Sequence, residues 1–364
     1  MSDMNNMENQ KKIGIAVVGS GRIGTLRSNM AMRHPSVGFL AVSDIEQSKA
    51  DILKQRVGAH MASADNYEVI SHPDVSAVIV STPEFEHVEA VEQALSLGKP
   101  VFLEKPLALS LEDGKAIMAA VKKYDGDVVV GYSRRHDRRW MLAKEQIVQG
   151  RIGEIVAIQS RVYNSRAQML ELIKRSLDAT PVLDVLTYYV DMANWFMAGI
   201  RPVEVISRSH GKVFKKMGYE TVDEANWTII TYENGAIINL GIFYGLPTDY
   251  PGYGQSGRFE VLGDDGAILL DIDSKESILT TEIGVPHNYI PDLTTKMLFM
   301  QSGTSGDWAL GEYWGPIANE TRSWLDHLIT GAPCPHTTVE EAMTTLEVSL
   351  AIEEAARTNQ VIKI

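Results

Sequence analysis

Residues Val17–Gly24 read V-V-G-S-G-R-I-G and join an apolar run to an amphipathic one. The run Ile13–Val18 predicts a buried strand, and the pattern after the glycines predicts a helix over residues 22–33, ending at His34-Pro35. A second apolar strand, Gly38–Ser43, runs into Asp44, which lies 20 residues beyond Gly24. Few folds require strand, glycine turn, helix, strand and acid in this order. Gly19 permits the tight turn, Gly21 lets the backbone approach a pyrophosphate, and Gly24 lets the helix pack closely on the sheet. Arg22 and Ile23 begin the helix, whose N-terminal N–H groups favour phosphate. The Asp44 carboxylate can accept both hydroxyls of a ribose and would repel a 2′-phosphate. Ile45 follows it with no basic residue beside it, so the pattern favours NAD over NADP.

The alternation continues. Helix patterns over 46–56, 84–97 and 110–123 separate apolar strands at 74–80, 101–103 and 127–131. The strand at 74–80 ends in Ser81-Thr82-Pro83, where the crevice of such a sheet should lie, and His87 follows in the next helix, more suited to holding the loop than to chemistry. The strand at 101–103 ends abruptly in Glu104-Lys105-Pro106. A lysine after a buried strand is ordinary on a surface loop. Here it falls where a charged group can reach both cofactor and substrate. Ser110 with Asp113 has the form of a capping box. These elements define an α/β Rossmann dinucleotide-binding domain over 1–132, with 1–11 a flexible tail.

From residue 133 to 364 the pattern changes to an α+β domain with an open, mostly antiparallel sheet. Helices are predicted over 137–149 and 182–197, and strands over 154–162, 203–208, 226–232, 236–242, 257–262 and 267–272. Asn234-Gly235 and Gly263-Asp-Asp-Gly266 are hairpin signals. Residues 280–310 read as loop-rich. Helices over 316–330 and 339–357 and a strand over 361–364 close the chain, and this C-terminal segment is expected to pack back on the first domain.

A net charge of -13 disfavours a nucleic-acid surface, and Arg134-Arg135 with Arg138-Arg139 is too short a basic cluster to reverse that. No run of 18 uncharged apolar residues suggests a membrane span, and the start MSDMNNMENQKK lacks the apolar core of a signal peptide. The single cysteine, Cys334, cannot form an internal disulfide, which suits a cytoplasmic protein. There is no Cys-x-x-Cys, no His-Glu-x-x-His and no Gly-Lys-Ser/Thr loop, and no metal is expected.

The chain resembles the glucose–fructose oxidoreductase/inositol dehydrogenase family in VVGSGRIG (17–24), Asp44, STPEFEH (81–87), VFLEKPLALS (101–110), GYSRRHD (131–137), GRIGEI (150–155), VLDVLTYYVDMANW (182–195) and FEVLGDDGAI (259–268). The resemblance spans nearly the whole chain. It implies a two-domain NAD(P) oxidoreductase acting on a hydroxyl or keto group of a sugar or cyclitol, assembled as a homodimer or homotetramer through the open sheet face. It implies that Lys105 bonds the reacting hydroxyl, that Glu104 orients nearby groups, and that Pro106 stiffens the turn, often as a cis bond. The family places Asp, His and Asp on one helix at i, i+4 and i+7. Here these are Asp184, Tyr188 and Asp191, so a tyrosine stands where the family has its acid/base histidine.

A phenol with an ordinary pKa near 10 is a poor base, and an adjacent ammonium lowers that value. The expected chemistry therefore uses Tyr188 as acid/base assisted by Lys105, with a lean toward ketone reduction or toward oxidation at raised pH. Asp184 is expected to accept a hydrogen bond from a substrate hydroxyl. Arg135 and the Arg161-Val-Tyr163 stretch are expected either to line the substrate cleft or, equally, to serve in salt bridges, with Tyr253 and Trp308 as weaker candidates and Asp191 open between structure and site. Packing of Tyr188 against an aromatic helix face is the plain alternative. Alternative functions are a dihydrodiol or other cyclic alcohol dehydrogenase, an NAD-assisted glycoside hydrolase, and a non-enzymatic NAD-binding regulator.

Overall fold

The computed structural model describes residues 12–175, 180–273, 277–287, 290, 292–300 and 306–364, so the tail expected at 1–11 lies outside the described residues. The chain divides into two compact units. One holds residues up to Ser133 together with Ile317–Met343, and the other holds Arg134–Pro316 with Thr344–Ile364.

The first unit runs β1 (Ile13–Val18), α1 (Arg22–Arg33), β2 (Val37–Ser43), α2 (Gln47–Val57), β3 (Met61–Ser63), α3 (Asn66–Ser71), β4 (Ala77–Val80), α4 (His87–Ser96), β5 (Val101–Glu104), α5 (Leu111–Tyr124) and β6 (Val128–Gly131). Its strands are parallel in the order β3-β2-β1-β4-β5-β6. The order reverses between β1 and β4, and ligands of such sheets bind beyond the strand ends at that switch. All residues of β1 and β4 are buried, which is why both read as unbroken apolar runs. Ser110 caps α5 by accepting from the Asp113 N–H. Sequence periodicity gave no warning of β3 and α3, which are too short to show one. Asp65 caps α3 by accepting from the Tyr67 N–H. Thr337–Thr338 adds an antiparallel edge to β6, and Trp324 packs edge-on against Phe102 in the core.

The second unit contains α6 (Arg138–Val148), β7 (Ile155–Ser165), α7 (Arg166–Arg175), α8 (Thr187–Met197), β8 (Pro202–His210), β9 (Ala225–Tyr232), β10 (Ile237–Leu246), β11 (Gln255–Gly263) and β12 (Ala267–Asp271). The sheet order is β12-β11-β7-β10-β9-β8, with Ile362–Lys363 at the outer edge. Every pair in it is antiparallel except β7 with β10. One face is buried by Trp140, Tyr189, Phe196 and their neighbours, and the other is open. Strand β9 shows the alternation: Asn226, Thr228 and Ile230 are buried, while Trp227 and Ile229 are exposed.

One expectation needs correction, and one helix was not anticipated. Residues 280–310 are not merely loop. Strands β13 (Ile278–Pro286) and β14 (Thr294–Phe299) form one hairpin, and β15 (Asp307–Ala309) and β16 (Glu312–Trp314) form another. Most of β13 and β14 is exposed on both faces, so no core-facing period marks them in the sequence. Helix α7 was legible but unread: Met169, Leu172 and Ile173 recur at i, i+3 and i+4, and all three are buried.

Candidate active site

In the first unit the glycine turn has the geometry that its residues foretell. Gly19 has φ +96, and a Cβ there would lie 2.6 Å from the Ser81 carbonyl oxygen. At Gly24 a Cβ would meet the Gly19 carbonyl oxygen at 1.9 Å. At Gly21 it would meet nothing within 4 Å, so this side of the turn is open to a ligand. Arg22 is exposed and Ile23 half-buried at the start of α1, with no side chain capping the helix. The Asp44 carboxylate is fixed by two backbone donors, the Ser20 N–H at 3.1 Å and the Glu46 N–H at 3.0 Å. Ser81 ties the ends of β1 and β4 together by donating to the Val18 carbonyl at 3.0 Å. Beside Ser81 and before Pro83, Thr82 Oγ1 is buried with no hydrogen-bond partner among the described residues. An open phosphate turn, a preset carboxylate and an orphaned hydroxyl at the switch point all fit a dinucleotide.

Strand β5 delivers Glu104 and Lys105, both half-buried, and the Lys105–Pro106 peptide is cis. Glu104 is held by Arg27 of α1, whose Nε–H donates to Oε1 at 2.7 Å. The same guanidinium donates to Glu320 Oε2 at 2.6 Å and to Thr321 Oγ1 at 2.7 Å, and lies over the Phe102 ring. Burial works to lower the Arg27 pKa, but the two carboxylates more than offset it and the net shift is upward. Arg27 was not among the residues singled out from the sequence, because a helix arginine carries no mark of a partner 77 positions away. His87 is fully buried, and its Nδ1 lies 3.2 Å from the Leu107 carbonyl, which can only accept, so Nδ1 carries the proton. It thus braces the turn that follows Lys105.

In the second unit Asp184 and Tyr188 occupy successive turns where the helix begins. Val182–Leu186 has π-helical pitch, with the Thr187 N–H reaching back to the Val182 carbonyl, and α8 follows. Both side chains are half-buried. The buried Tyr244 hydroxyl donates to Asp184 Oδ2 at 2.6 Å. Asp191, one turn further on, is fully buried and takes a two-pronged contact from Arg135, at 2.9 Å from Nε and 2.7 Å from Nη2. Arg135 is itself 1% exposed and lies over Trp195. Its neighbour Arg134 stacks on the rings of Tyr188 and Tyr189, with centroid distances of 4.9 Å and 4.6 Å.

The structure brings Asp184, Tyr188, Asp191 and Arg135 together on one helix and its support. It does not bring Tyr163 to them. Tyr163 points to the open face of the sheet, where it meets Phe243 edge-on, while α8 packs on the buried face. Arg161 lies on the same open face and donates to Ser256 Oγ. Alternation along β7 carried this signal, since Val162 and Asn164 are the buried positions. Tyr253 lies between β10 and β11, its carbonyl 2.9 Å from His287 Nε2, and Trp308 lies on β15 against Tyr313. Tyr244 and Arg134 are the residues missed. Tyr244 sits at the end of an alternating strand, and in the sequence Arg134 is one of four arginines in a short basic cluster.

The switch-point cradle of the first unit is the kind that NAD-dependent oxidoreductases use to hold their dinucleotide. Residues 13–132 match a family model described as an oxidoreductase family with an NAD-binding Rossmann fold, and residues 140–269 match a GFO/IDH/MocA C-terminal domain. The chain is 30% identical over 296 residues to a scyllo-inositol 2-dehydrogenase (NAD(+)) of Bacillus subtilis, covering 80% of this chain and 82% of the relative. It is 29% identical to a myo-inositol 2-dehydrogenase of Thermotoga maritima over 74% of this chain and 78% of that one. The crystal structure of a probable dehydrogenase from Thermotoga maritima superposes with a TM-score of 0.79, at 25% identity, covering 96% of this chain and 98% of that one. The chain belongs to the GFO/IDH/MocA oxidoreductase family, and its cofactor is NAD. No helix among the described residues is long and apolar enough to cross a membrane.

Proposed function

We propose that this enzyme interconverts a secondary hydroxyl and a ketone on a cyclitol or sugar, with Tyr188 as the acid/base and Lys105 as its assisting cation. The observation that carries this reading is the pairing of Asp184 and Tyr188 on successive helical turns, with the Asp184 carboxylate preset by the buried Tyr244 hydroxyl. The likeness to two inositol dehydrogenases supports the substrate class.

Bound NAD supplies the hydride acceptor for oxidation and, when reduced, the donor for reduction. In oxidation the Tyr188 phenolate takes the hydroxyl proton, and in reduction the phenol returns it to the developing alkoxide. The Lys105 ammonium favours the phenolate and donates to the reacting oxygen. Asp184 accepts a hydrogen bond from a neighbouring substrate hydroxyl. Arg135 acts through Asp191, fixing the helix that carries Tyr188 and Asp184, because its guanidinium is already engaged there. Tyr163 and Arg161 take no part in this set. NADH formation with a panel of inositols and aldoses, and NADH consumption with ketosugars, tests the reading. Turnover of at least one member is expected. Failure to bind either NAD or NADP would sink it.

We also propose that a second copy of the chain covers the open sheet face, giving a homodimer or homotetramer. Val156, Trp227, Ile229 and Ile237 are all at least 39% exposed on this sheet, and Trp227 lies across Gly241 of the next strand. Sedimentation should show an oligomer that Trp227→Arg dissociates. A monomeric wild type would refute the assembly.

A further inference from the structure

We propose that Arg134 is the positioning residue that tunes the Tyr188 phenol toward ionisation, through the guanidinium stacked on its ring. This inference rests on the reading of Tyr188 as the acid/base.

Three observations carry it. Arg134 is 6% exposed, and its Nε is buried without a hydrogen-bond partner. Among the described residues no carboxylate accepts from its guanidinium, in contrast to Arg135 next door, which is locked to Asp191. A buried cation needs compensation, and what Arg134 faces is two phenol rings, at 4.9 Å and 4.6 Å. A cation over the face of a phenol stabilises the phenolate more than the neutral ring, because the anion's charge is shared with the ring.

The two tyrosines do not share the effect equally. Tyr189 is fully buried, its hydroxyl has no partner, and burial pushes its pKa up against the pull of Arg134. Tyr188 is only half-buried, so burial opposes its ionisation less than that of Tyr189. Of the pair, Tyr188 is the phenol that can ionise. The other charged groups along this stretch of helix are Asp184, hydrogen-bonded by Tyr244, and Asp191, neutralised by Arg135. Asp273, Arg139 and Arg161 act on the Tyr189 side. Asp184 opposes ionisation of Tyr188 and Arg134 favours it, as does Lys105 in the role assigned above. A tyrosine in place of a histidine starts with a pKa more than three units higher, so a second cation has a clear task.

The test uses the full-length enzyme saturated with NAD and follows tyrosinate absorbance against pH. Subtracting the Tyr188→Phe titration from the wild type isolates Tyr188, and the same subtraction is made in the Arg134→Met background. The Tyr188 midpoint is expected below 10 in the wild type and about one to two pH units higher with Arg134→Met. Arg134→Lys keeps a cation and should restore part of the shift, which separates tuning from a general loss of packing. Unchanged midpoints in Arg134→Met and Arg134→Lys overturn the proposal. So does an Arg134→Met variant whose only defect is a raised KM for scyllo-inositol, since that would make Arg134 a substrate contact. Full turnover of scyllo-inositol by Tyr188→Phe would instead refute the acid/base reading, which the titration does not depend on.

Discussion

Arg27 Nε–H donates to Glu104 Oε1 over 2.7 Å, joining the helix that follows the glycine turn to the residue before Lys105. Both side chains are largely buried, and Glu320 shares the same guanidinium. Removing the cation leaves two carboxylates facing each other without compensation. Arg27→Met should therefore destabilise the enzyme by roughly 3–5 kcal/mol in urea unfolding at neutral pH. The loss should shrink as the pH falls into the carboxylate range, because protonation removes the unpaired charges.

Tyr244→Phe deletes one hydroxyl and leaves the ring in place. Asp184 then loses the donor that holds Oδ2. A stability loss of about 1–2 kcal/mol is expected, with a fall of about tenfold or more in kcat/KM from the misplaced carboxylate. An unchanged kcat/KM would show that Asp184 needs no such support.

Asp44 is held by two backbone donors in a position suited to a ribose diol. Asp44→Ser removes the charge that repels a 2′-phosphate. The ratio of kcat/KM for NAD over NADP should drop by roughly ten- to a hundredfold, measured with one substrate under fixed salt.

His87 gives a stability signature against pH. Burial, the dominant influence, holds its pKa below the ordinary value, outweighing the Leu107 carbonyl that favours the charged form. The unfolded chain therefore binds this proton more readily than the folded one. The contribution of His87 is fully present above the ordinary histidine value of about 6.5 and is lost as the pH falls toward the depressed folded value. Urea midpoints compared at neutral and mildly acid pH should show a smaller acid-side loss in His87→Asn than in the wild type.

Much of this was legible in residues whose role is local. Gly19, Gly21 and Gly24 announce a backbone geometry, and the apolar runs of β1 and β4 announce burial on both faces. The shared helical face of Asp184, Tyr188 and Asp191 was legible from their spacing, whereas only the family resemblance marked Tyr188 as a departure. What sequence could not show were partners set by tertiary contact. Nothing marks Arg27 as the partner of Glu104, or Tyr244 as the partner of Asp184 across 60 positions. The adjacent pair Arg134 and Arg135 read as one basic cluster, yet one is locked to Asp191 and the other stacks on tyrosines. Tyr163 was drawn toward the cleft by its chemistry, but strand alternation assigns it to the opposite face. The hairpins β13–β14 and β15–β16 showed no sustained period, because β15 and β16 are three residues each and most of β13 and β14 is exposed.

In the mechanism proposed, Tyr188 performs the proton transfer for which the family resemblance implies a histidine. The most direct measurement compares wild type and Tyr188→Phe for NADH formation from scyllo-inositol and myo-inositol, alongside NAD affinity by fluorescence titration. Tyr188→Phe is expected to lose about a hundredfold or more in kcat with NAD affinity unchanged. A Tyr188→Phe enzyme that retains wild-type kcat would contradict it.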